Sequence, residues 1–364
     1  MQSRRVIDGD GHVFEIMPGY VDWARYMEPE YKHRAPKLTA PGPSDTGVFI
    51  DGEAFPKPRT PNRKFRNRPF AGVAHRERPG MWDPKVRIPH MDQDGIDIAV
   101  LYGTSICERN SDLPDAGLAA AISRAYNNWL HEFCSYAPDR LKGAASVPLQ
   151  DMEAAVTELH RAVTELGFVG VGMLPYSQNK TLMDPYFYPL YEELQRLDVP
   201  LGLHYLGGNQ PLAEGRFQSL FFTHTFEHPY EQMLAMQAVV AGGVLDRFPK
   251  LRVGFLEGDC GWLPWWMHRM DSHYEKLADT VPAKAKPSEY LKGSQCYVGC
   301  EGDEPTIPYV AEMVGEDRMV FASDYWHWDG TFPGAVAEMT ERKDVSERVK
   351  RKVLGENAAR LYKL

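Results

Sequence analysis

Short apolar segments alternate with amphipathic segments along most of the chain, most regularly after residue 98. The apolar segments are rich in Val, Ile and Leu, which is typical of strands buried on both faces of a parallel sheet. Together with one segment near the start they predict eight strands, at 5–13, 96–103, 141–149, 168–174, 200–206, 251–258, 295–302 and 318–325. Segments with the period of a helix lie between and after them, at 115–136, 151–166, 185–197, 230–247, 262–279, 306–315, 333–342 and 346–362.

Eight strands with interleaved helices predict an α/β fold of the closed (β/α)8 type, the TIM barrel. The alternative is an open, doubly wound sheet, because eight parallel strands can also lie flat. A length of 364 residues suits one barrel domain, since barrels commonly exceed about 250 residues. We therefore predict a single domain over residues 1–364.

The stretch 15–95 interrupts this alternation and is too long for an ordinary connection between a strand and a helix. We predict that it is a lid-like insertion over the catalytic face of the barrel. Between Lys57 and Arg87 it carries ten Lys or Arg residues against two acids, Glu77 and Asp83. This basic part is either a solvated loop or a lid that presents arginines to a carboxylate-bearing substrate.

The overall charge narrows the choice of partners. A formal net charge of -9 argues against binding to nucleic acid or to an anionic membrane, because both attract basic surfaces. A small-molecule substrate is the expected partner.

Neither a signal peptide nor an apolar stretch of membrane-spanning length is evident, so we expect a cytoplasmic protein. The five cysteines show no CxxC pair and support neither a disulfide framework nor a zinc knuckle.

Candidate metal ligands occur in the first predicted strand, where Asp8, Asp10 and His12 alternate. Alternation places all three on one face, inside the barrel, with Asp10 and His12 nearest the carboxyl end, where barrel enzymes hold their sites. An unpaired buried carboxylate costs on the order of several kcal/mol, and a bound cation removes that cost. The other interpretation is a hydrogen-bonded Asp–His pair without metal.

Two further candidates lie at the same end of other predicted strands. His204 is near the end of the fifth strand and Asp324 near the end of the eighth. A single histidine in an apolar strand is often structural, but four ligand-type side chains at matching strand ends indicate one divalent metal ion. Mixed imidazole and carboxylate ligation makes zinc the first candidate, with iron or manganese as alternatives.

An ordered set of segments resembles the amidohydrolase superfamily, in particular the amidohydrolase-2 branch with its aminocarboxymuconate semialdehyde and resorcylate-type decarboxylases. These segments are IDGDGHVFE, LHYLGG, GGVLDRFPKLRVGFLEGDCGWLPWWMHRMD, FASDYWHWDG and GENAARLY, which span nearly the whole chain. By position, the resemblance implies that Asp10, His12, His204 and Asp324 bind the metal. The branch often forms dimers, so the resemblance also allows a homodimer.

Two positions depart from the pattern of the branch. The first ligand is Asp10, where the branch has HxH or ExH. Glu257 stands where the decarboxylases typically have a histidine that handles protons, which puts the usual proton route in doubt. By strand alternation we expect the Glu257 side chain to face inward. There it would be a fifth metal ligand, a proton shuttle or the salt-bridge partner of an arginine.

Other polar residues are candidates for the pocket. His327 either contacts the substrate or packs as a loop histidine, and His224 and His228 either cap and pack a helix or reach the pocket. Glu15 is either an anchor behind the metal ligands or a solvent-facing acid.

Three functions are compatible with these residues. The first is a hydrolase of a small, cyclic or aromatic anionic substrate that uses metal-activated water, with Asp324 accepting the proton of that water. Its leaving group would be protonated by His327 or Glu257. The alternative is a nonoxidative decarboxylase of a hydroxylated aromatic or unsaturated carboxylic acid, for which Asp324 is a candidate proton donor. The third is a metal-free small-molecule binding protein.

Overall fold

The computed structural model describes residues 5–15, 21–38, 48–50, 53–55, 79–104, 109–204, 220–325, 327 and 329–364. Eight parallel strands pair in chain order and form the predicted barrel. They are β1 Ile7–Val13, β2 Ile98–Gly103, β3 Leu141–Ala145, β4 Gly170–Met173, β5 Leu201–Leu203, β6 Val253–Phe255, β7 Cys296–Cys300 and β8 Met319–Phe321. The chain after β8 returns to β1, where the His12 backbone N–H donates to the Tyr325 carbonyl oxygen at 3.2 Å.

The helices surround the strands, as the sequence pattern predicts. Those at the end of the insertion and in the predicted helical segments are α1 Pro84–Asp94, α2 Ala116–Cys134, α3 Met152–Thr164, α4 Tyr188–Leu197, α5 Leu220–Val240, α6 Leu263–Leu277, α7 Ile307–Met313, α8 Ala335–Thr340, α9 Glu347–Arg351 and α10 Asn357–Tyr362. Further helices are Trp23–Tyr26, Val244–Arg247 and Pro287–Lys292, and the last predicted helix is interrupted by a wider turn over Lys352–Glu356. No helix in the described part of the chain is long and apolar enough to cross a membrane.

Two boundaries differ from the sequence pattern. The helix predicted at 230–247 begins ten residues earlier, at Leu220, because the aromatic-rich stretch before Pro229 is also helical. It ends at Val240, and Gly243 then adopts a left-handed φ of 73° that an L-residue would resist.

The insertion at 15–95 is described only in part. It contains a small antiparallel sheet of Lys37–Leu38, Val48–Ile50 and Glu53–Phe55, and it ends in α1. Most of the basic stretch, residues 56–78, lies outside the described residues, so the lid stays a prediction. Arg87 at its end has no lid role, because it is buried on α1 and donates to the His12 carbonyl oxygen at 2.8 Å.

A β-bulge in β1 corrects the expectation that Asp8 faces the barrel interior. Asp8 pairs with Ala99 and Gly11 with Leu101, so β1 has one more residue than β2 over this interval. The extra residue changes the alternation, and Asp8 lies on the outer face. A Cβ atom on Gly11 would lie 2.6 Å from the Asp8 carboxylate, which places Asp8 on the Gly11 side.

The base of the barrel is filled by the end of the chain. The Tyr362 hydroxyl donates to the Gly9 carbonyl oxygen at 2.7 Å and lies 2.8 Å from the Tyr102 hydroxyl. The Tyr102 ring stacks on His204 with a centroid separation of 4.2 Å. This aromatic layer is a rigid floor under the residues at the carboxyl ends of the strands.

Candidate metal centre

The four predicted ligands lie together at the carboxyl ends of β1, β5 and β8. His204 Nε2 is 3.1 Å from Asp10 Oδ1, and His12 Nε2 is 3.5 Å from the same oxygen and 3.3 Å from Asp324 Oδ1. All four side chains are buried. The contacts form a continuous chain from His204 through Asp10 and His12 to Asp324.

The donor atoms of this cluster fit a divalent cation. Both ring nitrogens of His12 and Oδ1 of Asp10 lack a hydrogen-bond partner among the described residues, although they are fully buried. Burial lowers the pKa of His12 well below its usual range, so the imidazole is neutral, which is the form that binds metals. Among the described residues, two groups of ligand-type atoms lie within 4.8 Å of one another and share His12. These groups are Asp10 with His12 and His204, and His12 with Glu257, Asp324 and His327.

Glu257 connects two histidines of the cluster. Its Oε2 is 3.5 Å from His204 Nδ1, and its Oε1 is 3.5 Å from His327 Nδ1. Burial raises the pKa of Glu257, but its interactions with the two histidines outweigh that effect and lower the pKa well below its usual range. Of the three roles expected for Glu257, that of an arginine's salt-bridge partner finds no arginine in the described part of the chain, where Glu257 pairs with these two histidines.

His327 is part of the site and not a loop histidine at its edge. Its Nδ1 is 2.6 Å from Asp324 Oδ1, its Nε2 is 3.1 Å from the Thr104 hydroxyl, and its ring lies 4.1 Å from that of His12. Burial lowers the pKa of His327, but the carboxylates of Asp324 and Glu257 hold it well above its usual range.

His224 and His228 lie inside α5, so neither caps that helix. Their rings pack 3.9 Å apart. His228 is buried and interacts electrostatically with Glu257 and His327, and burial lowers its pKa to about 4. His224 Nε2 lies 3.4 Å from Asp329 Oδ2, closer to solvent. His228 is therefore close enough to the site to interact electrostatically with it, whereas His224 lies at its margin.

Glu15 is buried, which excludes the solvent-facing interpretation. Its Oε2 accepts a hydrogen bond from the Thr104 backbone N–H at 3.1 Å, and its backbone carbonyl accepts one from Trp23 Nε1 at 2.9 Å. Because Thr104 contacts His327, Glu15 supports the wall of the pocket.

Sequence reasoning missed a polar network behind the ligands. Asp8 Oδ2 accepts from the Ser323 hydroxyl at 2.6 Å, and Asp8 Oδ1 accepts from the Ser323 backbone N–H at 3.0 Å. These bonds join β1 to the end of β8 immediately beside Asp10 and Asp324. The position of Ser323 next to the candidate ligand Asp324 was a signal for such a network. Its partner Asp8 could not be predicted from the sequence, because the bulge in β1 turns the Asp8 side chain outward.

Comparison with known proteins identifies the family. A family model described as amidohydrolase matches residues 7–364. The chain belongs to the amidohydrolase family. It is 31% identical to γ-resorcylate decarboxylase of Rhodococcus jostii over 77% of this chain and 87% of that protein. It is 29% identical to 2-amino-3-carboxymuconate-6-semialdehyde decarboxylase of Dictyostelium discoideum over 76% of each chain.

The barrel also matches a solved amidohydrolase-fold structure, that of 5-carboxyvanillate decarboxylase from Novosphingobium aromaticivorans. The TM-score is 0.71 at 24% identity, over 100% of this chain and 97% of that one. The crystals of that protein contain manganese and 4-hydroxy-3-methoxy-5-nitrobenzoic acid. At 24% sequence identity, this structural similarity establishes the fold alone.

These comparisons confirm the amidohydrolase resemblance and an enzymatic role. They favour decarboxylation, the alternative in the sequence analysis, over hydrolysis, which was placed first. The ligand-type groups of the described residues are compatible with a divalent metal ion, and nothing in them selects zinc. The domain boundary, the cytoplasmic location, a homodimer and the roles of the individual site residues stay predictions.

Proposed function

We propose that this amidohydrolase is a divalent-metal-dependent, nonoxidative decarboxylase of a hydroxylated aromatic or unsaturated carboxylic acid. The observation that carries the proposal is the buried cluster of carboxylates and imidazoles at the carboxyl ends of β1, β5 and β8, in which Asp10 Oδ1 and both ring nitrogens of His12 have no hydrogen-bond partner among the described residues. The activities of the two relatives, both decarboxylases of unsaturated or aromatic acids by name, support this reaction class.

In this proposal Asp10, His12, His204 and Asp324 hold the metal ion. Two imidazoles and two carboxylates suit zinc and also manganese, which the 5-carboxyvanillate decarboxylase contains. When bound, the cation supplies positive charge that orients and polarises the carboxylate and hydroxyl oxygens of the substrate. The four carboxylate and imidazole side chains are fixed in position by the strands and the aromatic floor beneath them.

The chain must supply a proton to the carbon that bears the carboxylate. Once that carbon is protonated, its bond to the carboxylate breaks, the electron pair returns to the substrate and carbon dioxide leaves. We assign the role of proton donor to Nε2 of His327, which faces the Thr104 hydroxyl at the pocket wall. The other ring nitrogen, Nδ1, stays hydrogen-bonded to Asp324. The imidazole regains a proton from solvent after product release.

Glu257 is a positioning residue in this scheme. By facing Nδ1 of both His204 and His327, its carboxylate fixes the orientation of a metal ligand and of the proton donor at once. This arrangement gives the chain a proton route in spite of having no histidine at position 257.

The experiment supplies the metal-reconstituted enzyme with γ-resorcylate, and separately with 5-carboxyvanillate, in D2O. We expect one carbon dioxide per product and deuterium at the carbon that lost the carboxylate. The His327→Asn variant should lose about 10²- to 10⁴-fold in kcat, as expected for removal of a general acid. The His273→Asn variant, at an exposed histidine of α6, is the matched control and should keep wild-type activity.

Two outcomes would each contradict a different part of the proposal. Incorporation of ¹⁸O from labelled water into a cleaved amide, ester or lactone, without carbon dioxide release from any hydroxylated acid, would establish hydrolysis instead. Carbon dioxide release that is unchanged in His327→Asn would keep the reaction but remove His327 as the proton donor.

A further inference from the structure

A second cavity lies beside α5. Its volume is about 420 Å³, and it is bounded by α5, the turn of residues 175–183 after β4, and residues 280–282. Gln232 lies on the side of α5 that faces the barrel, because its amide donates to the Leu203 and Leu256 carbonyl oxygens at 2.8 and 2.6 Å. The cavity therefore lies on a different face of α5 from the one that contacts the barrel strands.

The walls of this cavity are mostly apolar. They include Pro175, Met183, Leu234, Ala238, Val281 and Pro282. The volume falls within the range of about 300–1,000 Å³ that is typical of small-molecule sites. An apolar wall of this size favours the ring or alkyl body of a small ligand.

One carboxylate, that of Glu231, lines the cavity. Glu231 is only 4% exposed, and its side chain makes no hydrogen bond or ion pair with another described residue. Burial, together with the charge of Glu227 on the preceding turn of α5, raises the pKa of Glu231 to about 7. No cationic side chain contributes to that pKa, so nothing in the described part of the protein neutralises the carboxylate.

A buried carboxylate without a partner is costly in its charged form, and a cationic group of a ligand would offset that cost. We propose that this cavity is a second binding site, for a small ligand with an apolar body and one amidinium or ammonium group that pairs with Glu231. The charge required is opposite to that of the carboxylate substrate at the metal centre. The cavity is thus not a second position for the substrate.

Benzamidine and benzamide are suitable probes, because they have nearly the same shape and only benzamidine is charged. Calorimetric titration of the metal-loaded full chain at pH 8 should show benzamidine binding about tenfold or more tightly than benzamide, as expected for a charge-assisted pair. In Glu231→Gln the benzamidine affinity should fall about tenfold, to that of benzamide. Glu192→Gln, at an exposed acid of α4, is the matched control and should bind as the wild type does.

A blocking variant shows where the probe binds. Ala238→Met places a longer side chain into the cavity and should abolish benzamidine binding while leaving decarboxylase activity unchanged. The inference is overturned if benzamidine does not bind at millimolar concentration, if Glu231→Gln binds it as tightly as wild type, or if it binds at the metal centre instead. Because these are binding measurements, their outcome does not depend on the proposed decarboxylation.

Discussion

The Ser323→Ala substitution tests whether the Asp8–Ser323 contact holds the metal centre in shape. The Ser323 hydroxyl donates to Asp8 Oδ2 at 2.6 Å and accepts from the Tyr325 backbone N–H at 3.1 Å. It therefore fixes the backbone on both sides of Asp324. Asp8 in turn precedes Asp10 by two residues, so one hydroxyl connects the two strands that carry three of the four proposed ligands.

The size of the effect follows from the two groups that lose a partner. Removing the hydroxyl leaves one oxygen of buried Asp8 without its Ser323 donor and leaves the Tyr325 N–H without an acceptor. Each buried group left unsatisfied costs about 1–3 kcal/mol, so we expect the free energy of unfolding to fall by about 3 kcal/mol. Loss of support behind metal ligands typically lowers metal affinity about 10- to 100-fold, and we expect a decrease in that range.

Ser123→Ala provides a control for loss of stability alone. Ser123 is a buried serine on α2 whose hydroxyl accepts from Asn110 Nδ2 at 2.7 Å, away from the metal centre. Both variants should unfold at lower urea concentration, but only Ser323→Ala should release manganese more readily to a competing chelator. Equal chelator competition curves for the two variants would refute a positioning role for Ser323.

Three further changes have defined outcomes. Asp324→Asn should retain less than a tenth of an equivalent of metal after dialysis, measured by elemental analysis, because the cluster loses an anionic ligand. Gly11→Ala should lower the free energy of unfolding by about 3 kcal/mol in urea, because its Cβ would lie 2.6 Å from Asp8 Oδ2 and 2.9 Å from Arg87 Nη2. Because the folded-state pKa of Glu231 is raised to about 7, folding favours its protonated form. The stability of the wild type is therefore unaffected by Glu231 below the ordinary pKa of a glutamate, and it falls as the pH rises through about 7. Glu231→Gln should therefore be more stable than wild type at pH 8, by up to about 3 kcal/mol, and equal to it at pH 4. Parallel pH dependence of the two melting curves would contradict that reasoning.

The architecture could be predicted because apolar strand segments and helical periods are local properties of the sequence. All eight strands were located, each within the predicted segment. The start of α5 was missed because the segment before Pro229 is aromatic-rich and lacks a clear helical period. The bulge in β1 was missed because it is a property of pairing with β2, which a single strand does not show.

The metal ligands could be predicted for a different reason. Their positions at strand ends are fixed by topology, so strand phase and family resemblance indicate the same four residues. The partners of Glu257 could not be predicted, since they depend on how β6 is placed relative to His204 and to the loop that carries His327. The bulge also explains why the alternation argument succeeded for Asp10 and His12 but failed for Asp8.

Backbone conformation adds a cost at the two carboxylate residues that follow β6 and β8. Glu257 and Asp324 have left-handed φ values of 53° and 47°, which cost a residue with a Cβ roughly 1–2 kcal/mol. The left-handed region does not by itself mark the site, because Asp198 and Lys363 also adopt it, with φ values of 56° and 60°. What distinguishes 257 and 324 is that their carboxylates contact the metal-centre histidines. Glycine at 257 or 324 would relieve the strain but would remove a carboxylate from the cluster, so at these two strand ends the side chain is the reason to keep a residue with a Cβ.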